Sequence, residues 1–136
     1  MVLRRDTLYS PKPELSERVV KRLFSEKELA YLKSQPLARI GTSSKSGRPD
    51  VAAVSFDTDG EYVYVSGRDV MNTMKYKNVL ENPRASFVVD DLKTMKPWAP
   101  RGIKIQGKAD IVKHTGYMGP GTYIRIKPVL KRSWNI

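Results

Sequence analysis

Three short runs of β-forming residues, joined by tight turns, constrain the fold of this chain more than any other feature. The runs are 37–44, 51–56 and 61–66, and each of the connecting turns, 45–48 and 57–60, contains a glycine. Glycine allows the positive φ angles of tight turns, and valine and tyrosine are enriched in strands. The spacing predicts an antiparallel meander. Such strands favour a barrel, because closure removes exposed sheet edges.

The rest of the chain predicts helices and three further strands. Ser25-Glu26-Lys27-Glu28 is a capping-box pattern, which opens a helix that reaches about Gln35. A second helix is predicted from Val70 to Leu80, and Asn82-Pro83 ends it. The further strands are predicted at 85–89, 101–112 and 123–134, and the loops between them at 90–100 and 113–121.

The predicted strand from Arg101 to Val112 has the clearest alternation in the chain. Its isoleucines, glycine and alanine alternate with lysine, glutamine and aspartate, which gives it one buried and one exposed face. With about six strands, the expected fold class is mainly β, a six-stranded antiparallel barrel with flanking helices. We expect one barrel domain in 24–136, preceded by an irregular arm and a short helix in 1–23.

Composition narrows the compartment and the partners. The chain has no cysteine, which excludes disulfides, zinc–thiolate sites and cysteine nucleophiles. It has no run of roughly 20 apolar residues and no apolar signal-peptide core near Met1, so we expect a soluble, cytoplasmic protein without a membrane partner. A net charge of +11 attracts anions such as nucleic acid or phosphorylated small molecules, although a solvated lysine-rich surface gives the same count.

Candidate residues for acid–base or metal chemistry are few. The single histidine, His114, lies beside a glycine-rich loop without an acidic neighbour in sequence. Asp57 and Asp59 are ordinary turn residues, and Asp90-Asp91 has no matching set of metal ligands. We therefore expect no metal site, and most acid–base and metal enzyme classes are disfavoured.

A basic, hydroxyl-bearing segment after the meander suits a phosphate. Ser66, Thr73, Lys75 and Lys77 offer hydroxyl donors and ammonium groups, which hydrogen-bond and neutralise phosphate oxygens. The alternative is an exposed basic helix, since both lysines cannot face inward. Cofactor chemistry agrees with the lack of an obvious catalytic residue, because the protein then mainly binds and orients the cofactor.

Several stretches, in a fixed order, carry a family resemblance. Those in the first part of the domain are Phe24–Leu32, Leu37–Thr42, Gly47–Val51 and Asn82–Ala85. Those in the second part are Val88–Asp91, Pro97–Ile103, Gly107–Ala109, Ile124–Pro128 and Ser133-Trp134. The first set resembles the pyridoxamine-phosphate-oxidase-like split barrels, which bind flavin mononucleotide (FMN) or a related deazaflavin coenzyme. The second set is similar to a branch of that family labelled deazaflavin-dependent.

The resemblance implies a homodimer with two cofactor sites at its interface. The residues that it assigns to the cofactor are Val54, Ser55 and Phe56 along the ring system, Ser66, Thr73, Lys75 and Lys77 at the phosphate, and Trp98 and Arg101 facing the partner's site. An indole covers a ring face, and a guanidinium stabilises negative charge on the ring. The alternative for Trp98 is a tryptophan that closes the core or a dimer contact.

The chain departs from the vitamin B6 oxidases at two points. Ala52 stands where those enzymes place an arginine that helps bind the phosphate, and their C-terminal arginine–histidine substrate motif is not visible. The function expected is therefore a flavin- or deazaflavin-dependent oxidoreductase that acts on another small molecule. The alternatives are a cofactor-binding protein without turnover and a nucleic-acid-binding β-barrel, with Tyr62, Tyr64 and Tyr76 as stacking platforms.

Overall fold

The computed structural model describes residues 23–136, and its main element is a seven-stranded antiparallel sheet. In chain order the elements are α1 (Glu26–Ser34), β1 (Ala38–Ser43), β2 (Pro49–Val54), β3 (Asp57–Thr58), β4 (Val63–Val65), a 3-10 helix (Val70–Asn72), α2 (Met74–Glu81), β5 (Arg84–Thr94), β6 (Ala99–Gly116) and β7 (Gly119–Trp134). The arm and short helix expected in 1–23 lie outside the described residues, apart from Leu23, which packs against the core.

The strand order corrects the expected meander. The sheet runs β2-β1-β5-β6-β7-β4-β3, so that β2 and β3 form its two edges, and β4 pairs with β7 rather than with β2. Only Ser55 and Phe56 separate β2 from β3 along the chain. We call these two residues the seam, because the chain crosses there from one sheet edge to the other and closes the barrel. The seventh strand is the short β3, which pairs with β4 where the sequence predicted only a turn.

The second helix begins later than predicted. Val70–Asn72 is a separate 3-10 helix, and Thr73 then takes an extended conformation with φ −92° and ψ 155°. Its side-chain oxygen accepts the N–H of Tyr76, so Thr73 is the N-cap of α2. The single helix expected over 70–80 is therefore two elements, separated by a capping residue.

Two predicted loops are largely strand. The ladder between β5 and β6 continues through Asp91 opposite Arg101, so only residues 95–98 form the turn. The ladder between β6 and β7 continues through His114 opposite Gly121, and only Tyr117 and Met118 form that turn. Local glycines and prolines predicted loops here, but cross-strand pairing over 18- and 16-residue strands prevailed.

The core lies inside the barrel, under α1 and α2. The alternation predicted for β6 is confirmed, since Ile103 and Ile105 are buried while Lys104 and Gln106 are exposed. The capping box of α1 is also confirmed, with reciprocal bonds between Ser25 and the third helical residue. Among residues 23–136, no helix is long and apolar enough to span a bilayer.

Candidate functional site

Tyr117 links two of the residues that the sequence assigned to the cofactor, Ser55 in the seam and Ser66 just after β4. The hydroxyl of Tyr117 lies 2.8 Å from the carbonyl oxygen of Ser55 and 2.8 Å from that of Ser66, and it accepts the Ser66 N–H at 2.7 Å. Ser55 directly follows β2 and Ser66 directly follows β4. The end of one sheet edge and the end of the strand beside the other edge thus meet at one oxygen atom.

The neighbours of Ser55 point into the protein. Val54 is buried in the core. Phe56 is half-buried and packs edge-on against Phe87, with ring centroids 5.2 Å apart. At the seam, a ligand therefore meets the backbone and the exposed side chain of Ser55 rather than the Val54 side chain.

The hydroxyl groups predicted to bind phosphate already have protein acceptors. The Ser66 hydroxyl donates to the carbonyl oxygen of Thr122 at 2.7 Å. The Thr73 hydroxyl donates to the carbonyl oxygen of Val70 at 2.6 Å. Because each hydroxyl has one proton, neither donates to a phosphate in this conformation.

The two lysines of α2 lie on different faces of the helix. Lys75 is half-buried and shares a face with Asn78 and Val79, which follow it by three and four residues and are buried against the barrel. Lys77 is exposed. The sequence indicated that both lysines cannot face inward, and in the structure Lys75 is the one on the barrel side.

Side-chain amides fix α2 on β1. The buried Asn78 amide donates to the Thr42 hydroxyl at 3.0 Å. The Asn82 amide, at the end of the helix, donates to the Ser43 hydroxyl at 2.9 Å and to the Ser44 carbonyl oxygen at 3.1 Å. These bonds hold the C-terminal half of α2 against β1, and the same helix carries Lys75 one turn before Asn78.

Trp98 ends the turn between β5 and β6, Arg101 lies near the start of β6, and neither shares a hydrogen bond with the other seven predicted residues. The Trp98 side chain is 67% exposed. Arg101 forms a two-bond ion pair with Asp91, at 2.8 and 3.1 Å, and its guanidinium lies over the Tyr31 ring. The Arg101 guanidinium holds the pKa of the Asp91 carboxyl below its usual range, although partial desolvation opposes this. Asp90 in turn pairs with Arg39 at 2.6 Å.

The described residues form two concave surfaces. A groove of about 880 Å³ crosses the outer face of β2, β1, β5 and β6, and none of the nine predicted residues lines it. A smaller cavity of about 260 Å³ lies between the loop after β4 and the β6–β7 hairpin. Ser66 and Val70 both line the smaller cavity. The hydroxyl of Thr73, the N-cap of α2, donates to the Val70 carbonyl oxygen. Val70 therefore contacts both the smaller cavity and the start of α2.

Two of the three tyrosines considered for stacking on bases, Tyr62 and Tyr64, have internal partners. Tyr64 is buried and stacked on His114, with ring centroids 3.8 Å apart and an angle of 4° between the planes. Burial and the Asp59 carboxylate raise the pKa of Tyr64 to about 12. The Tyr62 ring is covered by the Arg125 guanidinium at 4.6 Å.

Sequence reasoning missed Tyr117 and undervalued Asp57. Asp57 Oδ2 accepts the Tyr117 N–H at 2.8 Å, whereas its buried Oδ1 has no hydrogen-bond partner within residues 23–136. The only signal for Tyr117 was an aromatic residue inside a glycine-rich turn, where a small polar residue is usual.

Comparisons with known proteins identify the family of the chain. Residues 24–121 match the pyridoxamine 5'-phosphate oxidase family. A curated relative, the 5a,11a-dehydrotetracycline/5a,11a-dehydrooxytetracycline reductase of Streptomyces rimosus subsp. rimosus, is 36% identical over 95 residues, which are 68% of this chain and 67% of that protein.

Solved structures show the same fold at lower identity. A conserved hypothetical protein from Mycobacterium tuberculosis has a TM-score of 0.66 and 23% identity, over 85% of this chain and 88% of that chain. An F420 reductase has a TM-score of 0.62 and 24% identity, over 80% of this chain and 98% of that chain. The chain therefore belongs to the pyridoxamine 5'-phosphate oxidase-like family of split barrels, as its motifs predicted.

Proposed function

We propose that this protein is an oxidoreductase that binds FMN or a deazaflavin coenzyme at a homodimer interface and acts on a small-molecule substrate. The family match and the curated relative, which is named a reductase, support an oxidoreductase. F420 is a deazaflavin coenzyme, so the structural neighbour named for it supports the deazaflavin alternative. The observation that carries the proposal is that the Tyr117 hydroxyl brings Ser55 and Ser66 together. Ser66 also lines the smaller cavity, which reaches Val70 just before α2.

The phosphate fits the first turn of α2 better than it fits the hydroxyl groups. The first N–H groups of a helix have no partner within the helix, and the helix dipole is positive there. That turn contains no acidic residue and carries Lys75 on its barrel side. Lys75 and the N–H groups of residues 74 and 75 would therefore bind the phosphate, while Thr73, which accepts the Tyr76 N–H, fixes the start of the helix.

The ring system fits the seam. A bound flavin or deazaflavin would supply hydride transfer. Ser55 would offer its backbone polar groups to the ring edge, and the half-buried Phe56 ring would give an apolar wall. Both residues lie between strands of a closed barrel, and such rigid supports orient a ligand better than free loops do.

A second copy of the chain would complete the site. Met95 and Trp98 at the β5–β6 turn are 68% and 67% exposed, and Val51 in the outer groove is 71% exposed. Large exposed apolar side chains mark contact surfaces, and the β5–β6 turn and the outer groove each carry such side chains. A partner subunit covering the groove would bring its own β5–β6 turn toward the site, as the sequence resemblance implied for Trp98 and Arg101.

Titration of the purified protein with FMN and with F420, followed by absorbance and fluorescence, tests the proposal. We expect one cofactor per subunit, and about 10- to 100-fold weaker binding in Lys75→Ala, because a charge-assisted hydrogen bond to phosphate is lost. Lys27→Ala is the matched control, since Lys27 occupies the same second helical position in α1. Failure of both cofactors to bind would contradict the proposed function, and equal binding by Lys75→Ala would contradict the phosphate site.

The two alternatives give different results in the same experiments. Cofactor binding without turnover of any offered substrate would identify a binding protein. Affinity for oligonucleotides that falls steeply with salt, without cofactor binding, would identify a nucleic-acid-binding barrel. The buried position of Tyr64 argues against the latter, because that ring has no free face for a base.

A further inference from the structure

Tyr117 occupies a position that no other described side chain shares, since it bonds the ends of β2 and β4 across the closure of the barrel. These strands are far apart in the sheet order, with four strands between them. Tyr117 comes from a third place, the two-residue turn between the long strands β6 and β7. One hydroxyl thus bonds the end of β2 to the end of β4, whereas the ladder hydrogen bonds join β4 only to β7 and β3 and leave β2 at the opposite edge.

The hydroxyl is suited to hold the backbone in a defined arrangement. It accepts the Ser66 N–H at 2.7 Å and has two carbonyl acceptors, those of Ser55 and Ser66, each at 2.8 Å. A phenol has one proton, so it donates to one carbonyl at a time and leaves the other able to accept from a ligand. Burial raises the pKa of Tyr117, which keeps the hydroxyl protonated at neutral pH.

Tyr117 is itself held in place. Its N–H donates to Asp57 Oδ2 at 2.8 Å, and its ring packs edge-on against Tyr123 with centroids 6.0 Å apart. The preceding Gly116 has no room for a side chain, because an added Cβ would lie 2.6 Å from Asp57 Oδ2. The same hairpin also accepts the Ser66 hydroxyl through Thr122.

We propose that Tyr117 is a positioning residue of the cofactor site, which fixes Ser55 and Ser66 in the arrangement that the cofactor contacts. The inference rests on the proposed function for the identity of the ligand. Tyr117 acts through the backbone of these two serines rather than by contact with the reacting atoms. Removal of its oxygen would free the seam, and the cofactor would then have to order it again on binding.

Tyr117→Phe tests the inference, because it keeps the ring and removes only the oxygen. The control is Tyr64→Phe, which also removes one tyrosine hydroxyl, bonded only to Asp59, near the same sheet edge. For whichever of FMN and F420 the wild type binds, we expect about tenfold or greater weakening in Tyr117→Phe and less than twofold change in Tyr64→Phe. Hydrogen exchange at the Ser66 amide should accelerate only in Tyr117→Phe, because that N–H loses its acceptor.

Three outcomes separate the possible failures. If the wild type binds neither cofactor, the proposed function fails, and accelerated Ser66 exchange in Tyr117→Phe still supports the seam contact. If the wild type binds and Tyr117→Phe binds equally well, the positioning role is overturned while the proposed function stands. If Tyr117→Phe does not fold, Asp57→Ala replaces it, since that variant loosens the turn and leaves the hydroxyl intact; unchanged cofactor affinity there also overturns the role.

Discussion

The two short turns at the ends of β6 differ sharply in what surrounds them. The turn at 95–98 presents Met95 and Trp98 to solvent, 68% and 67% exposed. The turn at Tyr117-Met118 directs Tyr117 inward, where its hydroxyl and its N–H contact three other residues of the same chain. Both segments read as loops in the sequence, and both proved to be tight turns on long strands.

The two turns differ in whether their side chains bond within the chain or face solvent. In the turn at 117–118, the N–H and the hydroxyl of Tyr117 both bond within the chain, the N–H to Asp57 and the hydroxyl to Ser55 and Ser66. The turn at 95–98 has apolar side chains without cover from residues 23–136, which fits a surface that a partner subunit covers. The strands at its base are anchored by the contacts of Asp91 with Tyr31 and Arg101.

The largest expected effect is on the inward turn. Gly116→Ala should lower the free energy of unfolding by about 2 kcal/mol, because the added methyl group overlaps Asp57 Oδ2 at 2.6 Å and the His114 ring at 3.0 Å. Urea denaturation measures this change. Lys96→Ala at the exposed turn is the control, and it should change stability by less than about 0.5 kcal/mol. Equal effects of the two substitutions would remove the distinction between the turns.

A smaller effect is expected at the base of the exposed turn. The Tyr31 hydroxyl donates to Asp91 Oδ1 at 2.8 Å and thereby joins α1 to the part of β5 next to the exposed turn. Tyr31→Phe should cost about 1 kcal/mol of stability, the usual contribution of one such bond. Denaturation of this variant beside the wild type measures it. Unchanged stability would mean that the bond from Tyr31 is not needed to hold this part of β5 when the Asp91–Arg101 pair is present.

Acid should weaken the same anchor. Arg101 lowers the pKa of Asp91 in the folded state, so the contribution of this carboxylate is full above its unfolded pKa of about 3.9 and is lost as pH falls through the lower folded value. Asp91→Asn should therefore show a shallower loss of stability between about pH 4 and pH 2 than the wild type. Parallel pH profiles would show that other carboxylates account for the acid sensitivity.

The smallest expected effect on folding, and the sharpest test of the exposed turn, is Trp98→Ala. Stability of the dilute protein should change by less than about 0.5 kcal/mol, because the indole is 67% exposed. If a second subunit covers the indole, dimerisation should weaken at least about tenfold, measured by sedimentation equilibrium. A drop in stability without any change in association would instead make Trp98 a residue of the folded subunit alone.

Local sequence signals predicted those elements that depend on neighbours in sequence. The capping box of α1, the alternation of β6 and the β1–β2 hairpin were all confirmed, because each arises from residues a few positions apart. The pairing of β4 with β7 was not predictable in this way, since it joins residues about 60 positions apart. Of the nine assigned cofactor residues, four came first from their phosphate-binding chemistry and five only from the family resemblance, and all nine remain predictions.

Local patterns along the chain were sufficient to predict a mainly β domain with two helices, and the motifs were sufficient to identify the family. Which polar groups are free for a ligand depends instead on the folded arrangement. The sequence predicted the Ser66 hydroxyl to be a phosphate donor, yet it donates to the carbonyl oxygen of Thr122, which lies 56 residues further along the chain. Tyr117 read as a loop residue, yet barrel closure places its hydroxyl between two strand ends. A hydrogen bond depends on what lies within about 3 Å in space, and the order of residues along a chain does not contain that distance.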